Sequence, residues 1–411
     1  MSRFAVYTQA HNAEKTLRNT IESVLNQTEG DFVYYIADNV SDDSTREIIR
    51  EYALLDRRVR PILYDRDGEQ AVLFRHFCFS VEVIRTAAVF DWFCTLDADD
   101  IYASSFLSEM QAFAESNCLD LAVCGTQFVD AETHKRRFDR IAQRDMILTG
   151  DGFGKYLPFY HVFMRPHWAK LYSQKCLSQI DLSRPLRNLS VGNDTMLVFE
   201  AMRHCERVGV LSKILHYYTY SDKSTSYKLD SNRVGADEIQ HNDTVQFLKE
   251  KVGRVSSENK LVLNVVYLNA IKDTLCVIYQ AGDISVDEKL SSMRQLFESQ
   301  VTLSAVLSRA LEETHSREFY NSLLDALDYW GVLSEDSVWL GLTLSSITNN
   351  QAAFVHWSKN KIRQLIKSGR NEEAASELLE WENILAGDRE LAELRSAMYE
   401  NKETIPDTRK E

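Results

Sequence analysis

The chain has 411 residues, which is enough for two or three domains of about 150 residues each. Its composition, 44% apolar and 26% charged, is ordinary for a globular protein that can bury a sizeable core. The 47 basic and 61 acidic residues give a net charge of -14, which argues against broad nucleic-acid binding and gives no support for docking on anionic lipid.

The N-terminal residues contain no signal-peptide pattern, and no apolar run of about 18 residues is evident along the chain. We therefore expect a soluble, cytoplasmic protein, with peripheral association at the inner face of the membrane as an alternative. The seven cysteines are scattered, and they are expected to be reduced thiols in the core rather than metal ligands or disulfides.

The first hundred residues alternate strand and helix patterns. Apolar runs predict buried strands at residues 4–7, 32–37, 59–64 and 92–96. Apolar residues at helical spacing predict three intervening helices. The first is marked by Leu17, Ile21, Val24 and Leu25, and the second by Ile48, Ile49 and Tyr52, which follow N-cap candidates at 41–44. The third is predicted at residues 71–88. This order predicts an α/β fold with a doubly wound, mostly parallel sheet that binds ligands at the carboxyl ends of its strands, where Thr8, Asp38, Asp65 and Asp97 lie.

The rest of the chain changes character near residue 230. Before it, residues 121–124 look like a strand, 150–154 like a loop and 194–203 like a helix. After it, long amphipathic stretches predict helices almost throughout. We therefore predict a first domain at 1–228 and an all-α domain at 229–411. Within the second, Leu365, Gly369, Ala374, Leu378 and Leu379 fit either one tetratricopeptide-like helix pair or a generic helical hairpin.

Three carboxylates follow the fourth predicted strand, at Asp97, Asp99 and Asp100. Like charges so close together oppose one another's ionisation. An Asp-rich turn that caps the next helix needs only one of them. A divalent cation explains the cluster better, because Mg²⁺ and Mn²⁺ bind through one or two carboxylates and share the phosphates of a substrate.

Five motifs in order resemble glycosyltransferase family 2. The first motif combines the stretches at 7–12 and 23–28, and the second and third lie at 35–45 and 96–100. The fourth is His167-Trp168-Ala169-Lys170-Leu171-Tyr172, and the fifth is Val191-Gly192-Asn193-Asp194-Thr195. The resemblance covers residues 3–226. It implies a GT-A fold with a Rossmann-like sheet and an inverting enzyme that uses a nucleotide-sugar donor and a divalent metal. We expect a UDP-sugar donor with Mn²⁺ or Mg²⁺.

The same resemblance implies roles for individual residues. Thr8 and Asn12 would line the donor pocket, and Asp38 would accept a hydrogen bond from uracil unless it is a strand-end turn residue. Arg75 would lie near the diphosphate or the base unless it belongs to a solvated helix face. Asp97 would contact the ribose or the metal. Asp99 would coordinate the metal directly, and Asp100 is expected to be structural.

Asp194 is the candidate general base. A carboxylate can take the proton of a sugar hydroxyl when the transfer occurs late, as the anomeric carbon gains cationic character. Attack opposite the departing diphosphate would invert the anomeric centre, as the resemblance also implies. The alternative is an N-cap of the helix at 195–202, and one residue could serve both roles.

Three positions depart from the family pattern: Asn39, Asn193 and Ser221. They allow a second hypothesis, a catalytically degenerate transferase-fold scaffold. The retention of Asp38, Asp97, Asp99 and Asp194 together argues against it. A nucleotidyltransferase is weaker still, because Gln9-Ala10-His11-Asn12-Ala13 is not a glycine-rich phosphate loop.

Other polar and aromatic residues have more than one interpretation. His161 and His167 could hold a metal, but they lack a partner ligand. Lys135, Arg136 and Arg137 fit a solvated hairpin better than an acceptor-phosphate site. Trp168 and Tyr172 could stack on acceptor sugars or lie in the core.

The sequence names neither the sugar nor the acceptor. A polysaccharide is the default acceptor, and lipid-linked glycans and proteins are alternatives. The helical domain would bind the acceptor or form a homodimer, since helical repeats present concave surfaces.

Overall fold

The structure, a computed structural model, describes residues 3–64, 90–181, 192–220, 229 and 233–403. The chain divides into two compact units, Met1–Leu263 and Asn264–Glu411. The predicted helix at 71–88 lies outside the described residues.

The first unit is built on a mixed sheet, which within the described residues has ten strands. The strands are β1 (Phe4–Ala10), β2 (Phe32–Asp38), β3 (Val59–Leu63), β4 (Trp92–Thr95), β5 (Ile101–Tyr102), β6 (Leu121–Asp130), β7 (Arg136–Arg140), β8 (Met146–Leu148), β9 (Lys170–Ser173) and β10 (Val208–Tyr220). Their order is β3-β2-β1-β4-β9-β6-β10-β5, with β7 beside β6 and β8 beside β10.

The four predicted N-terminal strands are confirmed, and they form the parallel half of the sheet. Beyond β4 the sheet becomes mixed, because β9 runs antiparallel to both β4 and β6 while β6 and β10 are parallel. Alternate residues of β1 point to opposite faces of the sheet, so that Ala5 and Tyr7 join one apolar core and Phe4 and Val6 join the other.

Helices cover the sheet. Those of the first unit are α1 (Leu17–Leu25), α2 (Thr45–Leu55), α3 (Phe106–Ser116), α4 (Gly152–Lys155), α5 (Leu157–Met164), α6 (Gln174–Leu177), α7 (Asn193–Arg203) and α8 (Arg233–Val252). The α1, α2 and α7 predictions are confirmed. The predicted loop at 150–154 is wrong in part, because a short helix begins at Gly152.

The predicted boundary at 228/229 differs from the observed division after Leu263, because α8 packs on the first unit. Phe247 of α8 is fully buried and lies 5.0 Å, ring to ring, from Phe199 of α7. Arg203, at the end of α7, forms ion pairs with Asp243 and Glu250 of α8. Because of both interactions, the first unit extends beyond residue 228.

The helices that follow are α9 (Ser257–Gln280), α10 (Val286–Glu298), α11 (Gln300–Val306), α12 (Ala310–Glu313), α13 (Ser316–Trp330), α14 (Glu335–Thr348), α15 (Gln351–Lys367), α16 (Asn371–Ile384) and α17 (Arg389–Glu403). The predicted helical hairpin is α15 and α16. Leu365, Ala374 and Leu378 lie in its core as expected, whereas Leu379 is 59% exposed.

Helix α9 is 24 residues long and apolar enough to cross a membrane by length and composition. The expectation that the chain contains no such stretch therefore has one exception. Core helices of soluble proteins pass the same test, and 44% of its most apolar window is buried. Of the six cysteines in the described residues, all free, four are buried, while Cys118 and Cys276 are exposed.

Candidate active site

The residues after β4 form the first wall of the site. Leu96 directly follows β4, and its N–H donates to Tyr7 O (2.9 Å). The Thr8 hydroxyl donates to Leu96 O (2.8 Å), and Thr8 is fully buried. Thr8 thus anchors the segment that carries Asp97, and its predicted place in the donor pocket stays a prediction.

Asp97 and Asp99 lie at the carboxyl end of β4, as the strand pattern predicts. The Asp97 side chain is 40% exposed. The protein around Asp99 partly desolvates its carboxylate and, with the charge of Asp97, raises the pKa of Asp99 to about 6. A nearby cation would relieve this repulsion.

Asp100 differs from Asp97 and Asp99 because its side chain is fully buried. Its Oδ1 accepts from Thr219 N–H of β10 (2.8 Å), and its Oδ2 lies 3.2 Å from His216 Nε2. Both side chains are fully inaccessible. Burial raises the pKa of Asp100 and lowers that of His216, so a neutral acid beside a neutral imidazole is favoured. This placement supports a structural role for Asp100.

Asp194 lies in the first turn of α7, and its side chain is 44% exposed. It is not the N-cap, because Gly192 takes that position with a φ of 85°. The alternative interpretation of Asp194 as an N-cap is therefore wrong. The helix N-terminus still favours the ionised carboxylate.

His167 connects the two groups of carboxylates. Its Nε2 lies 3.3 Å from Asp97 Oδ1, and its Nδ1 lies 3.0 Å from Asp194 Oδ2. Burial alone would lower the pKa of His167, but the two carboxylates outweigh it and raise the pKa to about 10. The imidazolium form is therefore favoured at neutral pH, and one cation ties Asp97 to Asp194.

The sequence offered His167 only as a weak metal ligand paired with His161, and the two have different neighbours in the structure. His161 is buried, its ring lies 5.7 Å from that of Phe199, and its pKa is lowered to about 4 by burial and by Arg165. The sequence signal for His167 was its place as the first residue of the motif at 167–172 that resembles the family.

Lys170, in the Lys-Leu-Tyr motif, holds the loop that carries His167. Its buried ammonium donates to Phe163 O (2.7 Å), Pro166 O (2.5 Å) and Trp168 O (3.3 Å), which uses all three of its protons. The Tyr172 hydroxyl donates to His167 O (3.1 Å). Trp168 and Tyr172 are buried, which supports their core interpretation.

The other predicted donor residues that the structure describes, Asp38 and Asn12, have hydrogen-bond partners of their own. Asp38 is fully buried, with Oδ1 accepting from Ser41 N–H (3.1 Å) and Oδ2 paired with Arg46 Nε (2.8 Å). Its carboxylate is thus already satisfied, which supports the alternative of a strand-end turn residue. Asn12 is exposed and accepts from Asp42 N–H (2.8 Å). Arg75, Asp65 and Ser221 lie outside the described residues.

The donor set after β4 fits a metal ion that shares its ligands with a substrate. Among the described residues, no group of three His, Cys, Asp or Glu side chains could hold a metal by itself. Asp97 and Asp99 supply two carboxylate ligands with hard oxygen donors. That number fits a Mg²⁺ or Mn²⁺ ion whose remaining ligands come from a diphosphate and water.

Comparison with known proteins identifies the class of protein that this fold and site define. Residues 5–180 match the model of the family described as "Glycosyl transferase family 2". These residues therefore form a family 2 glycosyltransferase domain, and the chain is a glycosyltransferase.

Two proteins of Bacillus subtilis (strain 168) resemble the chain. EpsH, whose glycosyltransferase assignment is itself provisional, is 25% identical over 70% of this chain and 78% of its own length. EpsJ, an uncharacterised glycosyltransferase, is 24% identical over 52% of this chain and 60% of its own length.

Among solved structures, S. aureus TarS 1-349 in complex with UDP-GlcNAc gives a TM-score of 0.45 at 16% identity, covering 89% of this chain and 92% of that chain. The Pyrobaculum calidifontis mannosyltransferase PcManGT in complex with GDP-Man and Mn²⁺ gives 0.42 at 10% identity, covering 78% and 88%. Both TM-scores lie below 0.5, so the assignments that follow depend on this chain's own residues.

Proposed function

We propose that the chain transfers a sugar from a UDP-sugar to a hydroxyl group of a glycan, with inversion of the anomeric carbon. The observation that carries this proposal is the convergence of Asp97 and Asp194 on His167, at 3.3 and 3.0 Å. A carboxylate pair suited to a diphosphate-bound cation thereby lies next to a half-exposed carboxylate suited to a proton acceptor.

In the proposed reaction the acceptor hydroxyl attacks the anomeric carbon from the side opposite the diphosphate. The new bond joins the acceptor oxygen to that carbon, and the bond from the carbon to the phosphate oxygen breaks. Asp194 takes the hydroxyl proton, and UDP carries away the electron pair. A late proton transfer makes a carboxylate an adequate base.

Asp99, with Asp97, would hold the Mn²⁺ or Mg²⁺ ion, which supplies neutralisation of the charge that develops on the leaving diphosphate. His167 holds the Asp97 and Asp194 side chains in a fixed relationship before the substrates arrive. Such orientation lowers the entropy that is lost on reaching the transition state.

The finer assignments also remain part of this proposal. Thr8, Asn12 and Arg75 would belong to the donor pocket, and uracil recognition by Asp38 would require it to exchange a present partner. The acceptor is proposed to be a polysaccharide, with lipid-linked and protein-linked glycans as alternatives. The helical unit would bind the acceptor or form a homodimer, and the protein would act in the cytoplasm.

The first test is thermal stabilisation by UDP, GDP, CDP and TDP, each with and without Mn²⁺. At a hundredfold excess over its Kd, a ligand stabilises the folded state by about 2.7 kcal/mol. We expect stabilisation by UDP that requires Mn²⁺ and is lost in Asp99→Ala. A preference for another nucleotide would overturn the choice of UDP.

The second test addresses the base and the stereochemistry. Asp194→Asn should bind UDP with Mn²⁺ as tightly as the unchanged protein, yet lose at least about a thousandfold in transfer rate. NMR of the anomeric proton in the product reports inversion directly. Retention of configuration, or full activity in Asp194→Asn, would refute the proposed mechanism.

A further inference from the structure

Two arginines near the candidate active site have no acidic partner among the residues that the structure describes. Arg140 ends strand β7, and Arg165 lies two residues before His167. The guanidinium groups of both lack ion pairs and hydrogen bonds within the described part of the chain. Arg136 and Arg137 of the same strand differ, because they pair with Asp139 (2.7 Å) and Asp130 (2.7 Å).

Arg140 lies among aromatic rings and close to a second positive charge. Its guanidinium carbon lies 5.1 Å from the ring centre of Phe128 and 5.7 Å from that of Trp168, and the residue is half-buried. Burial, together with the positive charge of Arg165, lowers the pKa of Arg140 to about 10. The aromatic faces stabilise the cation, but they satisfy none of its N–H donors.

Neighbouring residues connect the arginine pair to the candidate base. The hydroxyl of Thr195, which directly follows Asp194, donates to Arg165 O (2.9 Å). Trp168, which contacts Arg140, directly follows His167 in the chain. Both arginine and aspartate also act on the buried Lys170: the positive charge of Arg140 lowers the pKa of Lys170, and the negative charge of Asp194 raises it.

We infer that Arg140 and Arg165 bind an oxyanion on the acceptor, a phosphate ester or a carboxylate, while the acceptor hydroxyl meets Asp194. Guanidinium groups bind such oxyanions through paired N–H donors. The anion would satisfy the unused donors and offset the repulsion between the two arginines. A local basic pair is also needed, because the chain as a whole carries a net charge of -14 and repels anions.

This inference rests on the proposed role of Asp194, but its test does not depend on catalysis. Binding of glycerol 2-phosphate and of glucuronate is measured by calorimetry, with glycerol and glucose as neutral probes. Ionic strength is held constant, and the titration is run both with UDP and Mn²⁺ present and without them. The two anionic probes distinguish a phosphate from a carboxylate as the preferred group.

Three variants make the measurement specific. Arg140→Met removes the charge and keeps the apolar stem, and Arg165→Gln changes an exposed side chain that the fold does not need. Arg136→Gln is the matched control, because it removes one positive charge from the same strand at a paired position. We expect Arg136→Gln to bind an anionic probe with the same affinity as the unchanged protein. Arg140→Met and Arg165→Gln should bind the probe at least about tenfold more weakly.

Equal affinity in all four proteins would overturn the inference, as would the absence of anion binding in the unchanged protein. Weaker UDP binding in Arg140→Met or Arg165→Gln would overturn it too, since the pair would then serve the donor. A failure of the proposed function appears elsewhere, as transfer that survives in Asp194→Asn or as a lack of UDP binding. Neither of those results alters the anion titration that is run without UDP.

Discussion

His167 and Asp194 form an ion pair at 3.0 Å although they belong to different elements, the loop before β9 and the first turn of α7. The other nitrogen of the same ring lies 3.3 Å from Asp97. One largely buried imidazole therefore joins the candidate base to the segment that would bind the metal. We expect a side chain in this position to influence the proposed reaction without touching the reacting atoms.

Replacing His167 tests this positioning role. We expect His167→Asn to lower kcat by about 10- to 100-fold, as changes behind a metal-binding side chain do, with a smaller change in the KM for the donor. The physical reason is that Asp194 and Asp97 lose the cation that orients both. Steady-state kinetics with a UDP-sugar measures the two effects separately.

The control is His134→Asn, which changes an exposed histidine of the β6–β7 hairpin. It should leave kcat and KM unchanged. An unchanged kcat in His167→Asn would mean that the bridge seen in the structure has no part in the reaction.

The raised pKa of His167 also predicts a pH dependence of stability in the metal-free protein. Because the pKa is about 10 in the folded state against an ordinary 6.5, the added stability is complete below 6.5 and is lost as the pH rises through 10. Urea unfolding with a chelator, at about pH 6, 8 and 10, should show His167→Asn least stable relative to the unchanged protein at the lowest pH. A stability difference that is the same at all three values would argue against the ion pairs.

Sequence patterns predicted the half of the sheet where strand and helix alternate, and they placed Asp97 and Asp99 at its edge. The alternation of side chains along a strand does not indicate how deeply a side chain at the strand end is buried. The burial of Thr8 and Asp38 was therefore missed. His167 belongs to an irregular loop held by the Lys170 ammonium. Its position therefore depends on long-range packing that no local pattern records.

The loop itself can be tested through Lys170. We expect Lys170→Met to lower the free energy of unfolding by about 2–5 kcal/mol, because three carbonyl oxygens lose their buried donor. Transfer activity should fall with it, since these carbonyls belong to the loop that carries His167. Urea unfolding and kinetics on the same samples measure both.

Lys175→Met is the comparison for Lys170. Lys175 is 59% exposed and its ammonium lies 3.4 Å from Asp120, so its loss should cost less than about 1 kcal/mol. If both variants lose the same small amount of stability, the three carbonyl contacts do not hold the loop.

Asp99 predicts how metal binding responds to pH. Its pKa of about 6 means that a proton competes with the cation below that value. In the presence of UDP, the affinity for Mn²⁺ should be nearly constant above pH 6 and should weaken below it, by up to about tenfold per pH unit. Electron paramagnetic resonance of free Mn²⁺ follows the titration.

Asp99→Asn should bind Mn²⁺ weakly at every pH, whereas Asp91→Asn, an exposed neighbour before the same strand, should behave as the unchanged protein. Mn²⁺ affinity that is independent of pH across this range would indicate that Asp99 is not a ligand.

The last prediction concerns which unit helix α8 stabilises. Phe247 is fully buried against Phe199 and Phe153, at 5.0 and 6.0 Å between ring centres. Phe247→Ala should therefore lower the free energy of unfolding by about 3–5 kcal/mol. Ile239→Ala, at a position of the same helix that is 41% exposed, should cost far less.

Differential scanning calorimetry with and without UDP and Mn²⁺ shows which transition each variant changes. We expect Phe247→Ala to lower the transition temperature that UDP raises, because α8 completes the core beneath α7, where Asp194 lies. If that transition is unchanged and a separate one falls, α8 is energetically part of the helical unit. The boundary predicted at 228/229 would then describe the folding units better than the division after Leu263.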